Sequence, residues 1–282
     1  IDKAVDGSLY WYYLTSGLDG GGTIGEMERN IMRISKNGSY MGGITTPPLN
    51  LWGNMAVDKN FNVIFNAGRS IYKLDENWNK VFSHNINNMQ FISDMAVDTN
   101  NNIYVVDYRY NVLTSAVVKL NPQGYPAWSS QSFPNNNRPR VEVDIEGNPV
   151  VFSHYYDPFD PSTGLYTYLI KHNSINGSTL EETFFKDTFE YAPTGATRPA
   201  SQIDFSITNK NQVLVFANNN YSQGFWVAKS NEGLEFACDT NINIFRVDFS
   251  TSVNDQQLSF QINNPERMAD VNLSVSDTQI FY

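Results

Sequence analysis

The amino-acid sequence predicts an all-β fold in which short antiparallel sheets of four strands repeat like the blades of a propeller. Three observations predict it. A strand–turn–strand motif recurs along the chain, the second strand of most copies is apolar at every position, and no stretch shows sustained helical periodicity. The third observation excludes folds in which strands alternate with helices. The 282 residues suit one large all-β domain or two smaller ones, and we assign residues 1–282 to a single propeller.

The motif is clearest between Asp94 and Asp107, where two apolar runs flank a turn made of Asp98, Thr99 and three asparagines. Asp and Asn suit such turns because they tolerate positive φ and their side chains bond the nearby backbone. Further copies begin at Ala4, Ala56, Val143, Ile207 and Val275. The turn aspartates of the first four copies are separated by 52, 40 and 46 residues, a spacing typical of blade repeats.

Each hairpin is followed by two further apolar strands around a second turn, so we expect four strands per repeat in up-and-down order. The third strand often ends with a basic residue, which is Arg33, Lys73, Lys119 or Lys171. A sheet with one face in water alternates apolar and polar residues, whereas second strands such as 103–106 are apolar throughout. These strands therefore need cover on both faces, which stacked blades provide.

The number of blades is less clear. Five repeats look complete, and the hairpin at 275–282 would be half of a sixth. A motif-like stretch at 237–244 leaves seven blades as an alternative, but its Asp239 lies only 31 residues after Thr208, too close for a further sheet of four strands. We therefore favour six blades. We expect strands from both ends of the chain to share one blade, because this removes an exposed edge.

The repeat resembles the NHL-type propeller repeat. The resemblance is carried by Ala-Val-Asp at 96–98, Ile-Tyr-Val-Val-Asp ending at Asp107, and Val-Lys-Leu at 118–120 running to Gly124. It implies a propeller and a family that contains recognition modules together with a few hydrolases and lyases. The motif marks strands and turns, so it is much more informative about fold than about chemistry.

Composition narrows the classes of partner. A net charge of −10 argues against nucleic acid and against an anionic membrane surface, since both need a basic face. No apolar run of membrane-spanning length occurs, so we expect no membrane insertion. Cys238 is the only cysteine, so stability must come from packing and not from internal disulfides. Residue 1 is not methionine, so we expect a processed chain or a fragment.

No cofactor is expected. An Asp-x-Asn-x-Asn pattern begins at Asp58, Asp98 and Asp239 and resembles the start of a calcium loop. The glycine and glutamate that complete such a loop are missing, so turn formation is the preferred explanation, with a divalent cation such as calcium as the alternative. The three histidines lie in different repeats without the spacing of a zinc site.

The connections that follow the second strands are long and variable, notably 12–30, 107–116 and 153–167, and all are predicted on one side of the propeller. Long loops on a rigid scaffold commonly carry binding residues. The candidate ligand-binding residues at these strand ends are Tyr12, Tyr13, Asn66, Arg69, Asp107, Tyr108, Arg109, Tyr110, His154, Tyr155, Tyr156 and Asn218. Aromatic rings with polar neighbours suit sugars or protein side chains, although the rings could equally pack between blades.

The functional prediction is a non-catalytic recognition or structural propeller that displays these loops to a protein or carbohydrate, outside a cell or on a cell or particle surface. No nucleophile elbow, phosphate-binding loop or metal-ligand cluster stands out in the sequence. The alternative is a metal-assisted hydrolase or lyase with its site at the axial channel. Its candidate residues would be Asp107, Asn66, Asn218 and His154.

Overall fold

The protein is all-β, as predicted. The structure is a computed structural model, and it describes residues 2–18, 24–46, 54–108, 114–130, 133–134, 139–156, 165–187, 203–219, 224–231, 234, 253–255 and 261–263. These residues form strands and turns, with no helix among them. The chain forms two compact units, Ile1–Leu49 with Leu258–Tyr282, and Asn50–Gln257. The assignment of 1–282 to a single domain stays a prediction.

The first unit contains one sheet, sheet 1. Its strands are β1 (Asp2–Lys3), β2 (Leu9–Leu18), β3 (Ile24–Ile34), β4 (Tyr40–Thr46) and β23 (Gln261–Asn263), in that spatial order. The predicted connection 12–30 is largely strand, because β2 and β3 pair as far as Leu18 and Ile24. The run of Tyr, Trp and Thr in β2 explains this extension, since these residues favour extended backbone.

The described residues of the second unit form four successive sheets and one separate pair of short strands. Sheet 2 has β5 (Met55–Val57), β6 (Val63–Ala67), β7 (Ser70–Leu74), β8 (Lys80–Ile86) and β22 (Val253–Asp255). Sheet 3 has β9 (Phe91–Val97), β10 (Ile103–Tyr108), β12 (Val117–Leu120) and β13 (Pro126–Ser129). Sheet 4 has β15 (Arg140–Val143), β16 (Pro149–Tyr156), β17 (Leu165–His172) and β18 (Thr179–Asp187). Sheet 5 has β19 (Ile203–Ile207), β20 (Val213–Asn219) and β21 (Gly224–Lys229), and β11 (Thr114–Ser115) pairs separately with β14 (Phe133–Pro134).

All neighbouring strands within these sheets are antiparallel, and five predicted hairpins are present as β1–β2, β5–β6, β9–β10, β15–β16 and β19–β20. The sequence did not indicate the fifth strands of sheets 1 and 2. β23 pairs with β4 and β22 pairs with β8, each on the outer edge of its sheet. The hairpins predicted at 237–244 and 275–282 lie outside the described residues, so the number of blades stays a prediction.

The apolar second strands 63–65, 103–106 and 150–152 are buried at every position, as their composition predicts. In β10, Ile103 and Val105 pack into a buried cluster with sheet 2, while Tyr104 and Val106 pack into a cluster with sheet 4. The second strand of sheet 4 repeats this pattern, since it contributes to one cluster with sheet 3 and to another with sheet 5. Each fully buried Val or Ile of this kind stabilises the fold by about 1.5–3 kcal/mol. This face-to-face stacking of successive sheets is the architecture of a β-propeller.

An aspartate holds the turn between the first and second strands. Asp58 Oδ1 accepts hydrogen bonds from the backbone N–H groups of Asn60 and Asn62, at 2.9 and 3.0 Å. Its Oδ2 accepts one from Asn62 Nδ2 at 2.8 Å. Asp98 makes the same three bonds in sheet 3. At Asp58 and Asp98, the carboxylate oxygens of the calcium-like pattern therefore accept hydrogen bonds from donors in the same turn.

A basic residue from the third strand reaches this aspartate. Lys73 Nζ lies 2.8 Å from Asp58 Oδ2, and both side chains are almost completely buried. In sheet 4, Lys171 Nζ lies 2.9 Å from Asp144 Oδ2. Burial alone lowers the pKa of Lys171, but the hydrogen bond and negative charge of Asp144 outweigh burial and raise that pKa above its usual value. The basic residue at the end of the third strand is thus part of a buried ion pair.

In sheet 3 a different residue interacts with the aspartate of the turn. The Tyr104 hydroxyl lies 3.2 Å from Asp98 Oδ2 and 3.0 Å from the carbonyl oxygen of Gly147. Burial, together with the charge of Asp98, raises the pKa of Tyr104, so this hydroxyl keeps its proton. Lys119 instead donates to the carbonyl oxygen of Ser174 in sheet 4, at 2.7 Å. In sheet 3 the Tyr104 hydroxyl therefore interacts with Asp98, and Lys119 instead contacts the next sheet.

Glycine allows one of these turns to lie against the neighbouring sheet. Gly124, in the turn between β12 and β13, has φ +86°, and a Cβ added there would lie 2.6 Å from His84 Cδ2 and 2.8 Å from Phe82 Cε2. The two rings are stacked with centroids 4.9 Å apart and are buried, so they have little freedom to move aside. Gly147 has nearly the same φ, +85°, yet no atom lies within 4 Å of its added Cβ.

We predict that Gly124→Ala destabilises the protein by about 1–3 kcal/mol more than Gly147→Ala, because both changes carry the cost of positive φ but only the first overpacks a contact between sheets. The free energy of unfolding in urea measures the difference. Equal losses in the two variants would show that the turn of sheet 3 is not tightly seated on sheet 2.

Candidate functional site

The two faces of sheet 1 differ in exposure, and the more open face is aromatic. Tyr10, Ile31 and Ile44 are buried on one face. On the other face Trp11 is 38% exposed and its ring meets that of Tyr13 edge to face, with centroids 5.9 Å apart at 61°. This alternation follows from the period of two in a β-strand. We call the surface formed by Leu9, Trp11, Tyr13 and Tyr40 the aromatic face.

Tyr40 extends this surface because Gly43 leaves room for it. A Cβ added to Gly43 would lie 3.3 Å from the Tyr40 hydroxyl and 2.5 Å from the Ile31 carbonyl oxygen. Burial raises the pKa of Tyr40, and the nearby Tyr13 raises it further. Burial also raises the pKa of Tyr13, so both phenols stay neutral. The Tyr40 hydroxyl has no hydrogen-bond partner in the described part of the chain.

A polar pair accompanies these rings. Asn30 and Thr45 lie opposite Tyr13 in the strand register, and Thr45 Oγ1 donates to Asn30 Oδ1 at 2.7 Å. The aromatic face thus combines a partly exposed indole with half-buried phenols, while the Asn30 amide is buried. Aromatic rings that carry polar groups suit contact with a sugar ring or a protein side chain.

Tyr12 and Tyr13 were predicted as neighbours in one site, but they lie on opposite faces of sheet 1. Tyr13 belongs to the aromatic face, whereas Tyr12 shares the register row of Ile31 and Ile44 on the buried side. Both side chains are half-buried. A single ligand lying on the aromatic face would therefore contact Tyr13 and not Tyr12.

Asn66 lies near the end of β6 and Asp107 near the end of β10, and both bond the backbone of residues 90–92, where the chain passes from sheet 2 into β9. Asn66 is fully buried, accepts the N–H of Asn54 at 2.7 Å and donates to the carbonyl oxygens of Gly68 and Ile92 at 3.3 and 3.1 Å. Asp107, also fully buried, accepts the N–H of Gln90 at 2.9 Å. These contacts satisfy buried backbone groups.

The other predicted residues are spread over several strands. Arg69 is exposed in the tight turn between β6 and β7, and its carbonyl accepts the N–H of Ile86 at 3.0 Å. Tyr108 is half-buried at the end of β10. His154, Tyr155 and Tyr156 lie in β16, and Asn218 lies in β20. Arg109 and Tyr110 lie outside the described residues. Asn66 and Asp107 are brought together by their bonds to the backbone of residues 90–92.

The sequence interpretation missed a set of polar contacts between first strands. Asp94 Oδ2 accepts the N–H of Val141 at 3.0 Å, and Glu142 Oε2 accepts the N–H of Ile207 at 2.8 Å. These bonds join β9 to β15 and β15 to β19. In the sequence, the available signal for these contacts was a polar residue within one or two positions of the apolar residues of each first strand. Within the described ranges, no cluster of three or more His, Cys, Asp or Glu is placed to hold a metal ion.

Comparisons with known proteins give weak likenesses. No protein-family model and no curated protein sequence matches the chain. Among solved structures, the WD40 domain of Neurospora crassa Pan2 is 11% identical with a TM-score of 0.45, covering 81% of this chain and 64% of that one. The β-propeller domain of the trilobed protease from Pyrococcus furiosus is 8% identical with a TM-score of 0.40, covering 88% and 82%.

A protein of unknown function from Bacteroides caccae is 10% identical with a TM-score of 0.36, covering 82% of this chain and 93% of that one. Because these TM-scores are all below 0.5, the fold is assigned from the sheets of this chain and not from the likenesses. The described part of the chain has no apolar helix of membrane-spanning length.

We predict that Asn66→Asp lowers the free energy of unfolding by about 3 kcal/mol, because a carboxylate oxygen would replace the amide that faces two buried carbonyl groups. Asn209→Asp makes the same change at an exposed turn position and should cost less than about 0.5 kcal/mol. Urea unfolding of the two variants tests this. A stable Asn66→Asp protein would show that these backbone contacts do not hold the fold, and Asn66 would again be a candidate ligand-binding residue.

Proposed function

We propose that the protein is a non-catalytic recognition module that binds a protein or glycan partner through aromatic side chains, outside a cell or on a cell or particle surface. The observation that carries this proposal is the aromatic face of sheet 1. An indole that remains 38% exposed beside a half-buried phenol forms an apolar platform. Such platforms commonly provide the energetic centre of a binding surface.

Rigidity of the platform also supports recognition. β2 and β3 are paired along nearly their whole length, and the edge-to-face contact with Tyr13 restrains the Trp11 ring. A side chain already held in place loses little conformational entropy when it binds. The ring pair is therefore suited to binding with a small ordering cost.

The contacts of Asn66 and Asp107 favour recognition over the alternative of a metal-assisted hydrolase or lyase. Both residues would be expected at the channel of such an enzyme. Each is fully buried and bonded to the backbone of residues 90–92. Metal analysis of the purified protein separates the alternatives, since a stoichiometric divalent ion together with hydrolytic or lyase activity would contradict the recognition proposal.

We further propose that the repeats are NHL-like. Supporting this, the Ala-Val-Asp first strand and the lysine of the third strand, which resemble that repeat, meet in a buried ion pair in sheet 2 through Asp58 and Lys73. An alignment of homologues in which Asp58 and Lys73 are preserved together would support the proposal, and one in which the two positions vary independently would contradict it.

We predict that Trp11→Ala weakens binding at least about tenfold on arrays of immobilised glycans and peptides, because truncating an aromatic anchor commonly costs 2 kcal/mol or more. Trp11→Phe retains a ring and should lose less. Tyr125→Ala, which removes an exposed aromatic ring from sheet 3, serves as the matched control and should bind as the wild type does. Unchanged binding of a folded Trp11→Ala protein would rule out the aromatic face as the site.

A further inference from the structure

Two asparagines, Asn37 and Asn176, are followed directly by glycine, and both pairs lie in the same kind of turn. Each turn joins the third strand of its sheet to the fourth, between β3 and β4 in sheet 1 and between β17 and β18 in sheet 4. Both asparagines are exposed, and serine follows the glycine in each case. The two turns therefore place the same local sequence, Asn-Gly-Ser, in two different surroundings.

An asparagine that precedes glycine is open to a reaction within the chain itself. The backbone nitrogen of the glycine can attack Cγ of the asparagine side chain, because glycine has no Cβ to obstruct the approach. The ring closes only when the carboxamide turns towards that nitrogen and the backbone of the turn rotates to meet it. Whether an Asn-Gly pair reacts therefore depends on how firmly the structure holds the side chain and the glycine.

In sheet 4 both parts of the pair are held. Asn176 Oδ1 accepts hydrogen bonds from the backbone N–H of Ser178 at 3.0 Å and from its hydroxyl at 2.9 Å. Gly177 is buried against the Trp128 ring, since an added Cβ would lie 2.5 Å from its Cε3. The Gly177 N–H also donates to the carbonyl oxygen of Asn173 at 2.9 Å. The carboxamide and the glycine are thus both restrained.

In sheet 1 most of these restraints are absent. The side chain of Asn37 has no hydrogen bond or ion pair to another residue that the structure describes. The Ser39 N–H, which corresponds to that of Ser178, donates instead to Ser35 Oγ at 3.0 Å. Gly38 is exposed, and no atom lies within 4 Å of its added Cβ. Its N–H donates to the Ser35 carbonyl oxygen at 2.9 Å, and such a bond in an exposed turn opens at a small cost in free energy.

We propose that Asn37 is a site of spontaneous deamidation, whereas the fold protects Asn176. The Gly38 nitrogen loses its proton and bonds to Asn37 Cγ, and the Cγ–Nδ2 bond breaks to release ammonia, which leaves a cyclic imide. Water then adds to one of the two imide carbonyl groups and breaks its bond to the nitrogen, so the products are aspartate and isoaspartate. The chain and water supply every atom of the reaction.

The reaction would change sheet 1 chemically without unfolding it. Because the Asn37 side chain bonds to no other described residue, a carboxylate there removes no stabilising contact within that part of the chain. Isoaspartate also places an additional methylene in the main chain of the turn that leads into β4 at Tyr40, a residue of the aromatic face. The modified turn would therefore carry new negative charge at the margin of that face. The proposal does not depend on the proposed function.

Peptide mapping by tandem mass spectrometry measures both sites in the full chain after incubation in mildly alkaline buffer. Asn37 should deamidate at least about tenfold faster than Asn176, because the need to break two hydrogen bonds lowers the reactive population of Asn176 by about this factor. Ser178→Ala removes the hydroxyl donor and should speed deamidation of Asn176 without changing that of Asn37. In urea the two sites should react at nearly equal rates, since they share the sequence Asn-Gly-Ser.

Equal rates at the two sites of the folded protein, or a faster reaction at Asn176, would overturn the proposal. An unreacted Asn37 in the folded chain, when the unfolded chain deamidates, would overturn it as well. The rate at Asn37 should rise with pH because the attacking nitrogen must lose its proton, and a rate independent of pH would contradict this route. An unchanged rate at Asn176 in a folded Ser178→Ala protein would contradict the protective role of Ser178.

Discussion

The contact between sheets 2 and 3 depends on a buried lysine that bonds in two directions. Lys73 Nζ lies 2.8 Å from Asp58 Oδ2 in its own sheet and 3.3 Å from the carbonyl oxygen of Pro122 in the next. The aspartate in turn organises the bend between its first two strands. One ammonium group therefore links strand, turn and neighbouring sheet. Burying the two charges is tolerable because nearly every oxygen and proton involved has a partner.

The same requirement is met in different ways along the chain. Arg33 pairs with Asp6 in sheet 1, Lys171 with Asp144 in sheet 4, and the Tyr104 hydroxyl approaches Asp98 in sheet 3. Because sheets 2–5 also contribute apolar residues to their neighbours, these polar contacts align turns that the packing holds together. The donor to the turn aspartate differs among sheets 1–4, and in sheet 5 Thr208 takes the place of the aspartate.

Much of the fold was predictable because it depends on local chemistry. The turn aspartates and asparagines predicted the hairpins, and the unbroken apolar run Ile103–Val106 predicted cover on both faces. The length of β2 was misjudged because its tyrosines read as a loop opening. The strands β22 and β23 were missed because three-residue strands on a sheet edge depend on tertiary pairing and leave little pattern in the sequence.

The candidate site was less predictable. A polar residue at a strand end can bind a ligand or satisfy a buried backbone group, and the sequence does not distinguish these roles for Asn66 and Asp107. Tyr12 and Tyr13 were grouped by adjacency, although neighbouring residues on a strand face opposite sides. Trp11 could have been predicted as a site residue, since it lies two residues from Tyr13 and therefore on the same face of β2. Tyr40 could not have been predicted, because its position depends on the space above Gly43.

The most direct test of the buried lysine is the stability of Lys73→Met compared with Lys59→Met. Lys59 also donates to a neighbouring sheet, through the carbonyl oxygen of Thr99 at 2.8 Å, but its side chain is exposed. If the buried lysine couples the sheets, Lys73→Met should lower the free energy of unfolding by about 3–5 kcal/mol, and Lys59→Met by less than about 1 kcal/mol. Similar small losses in both variants would contradict the account.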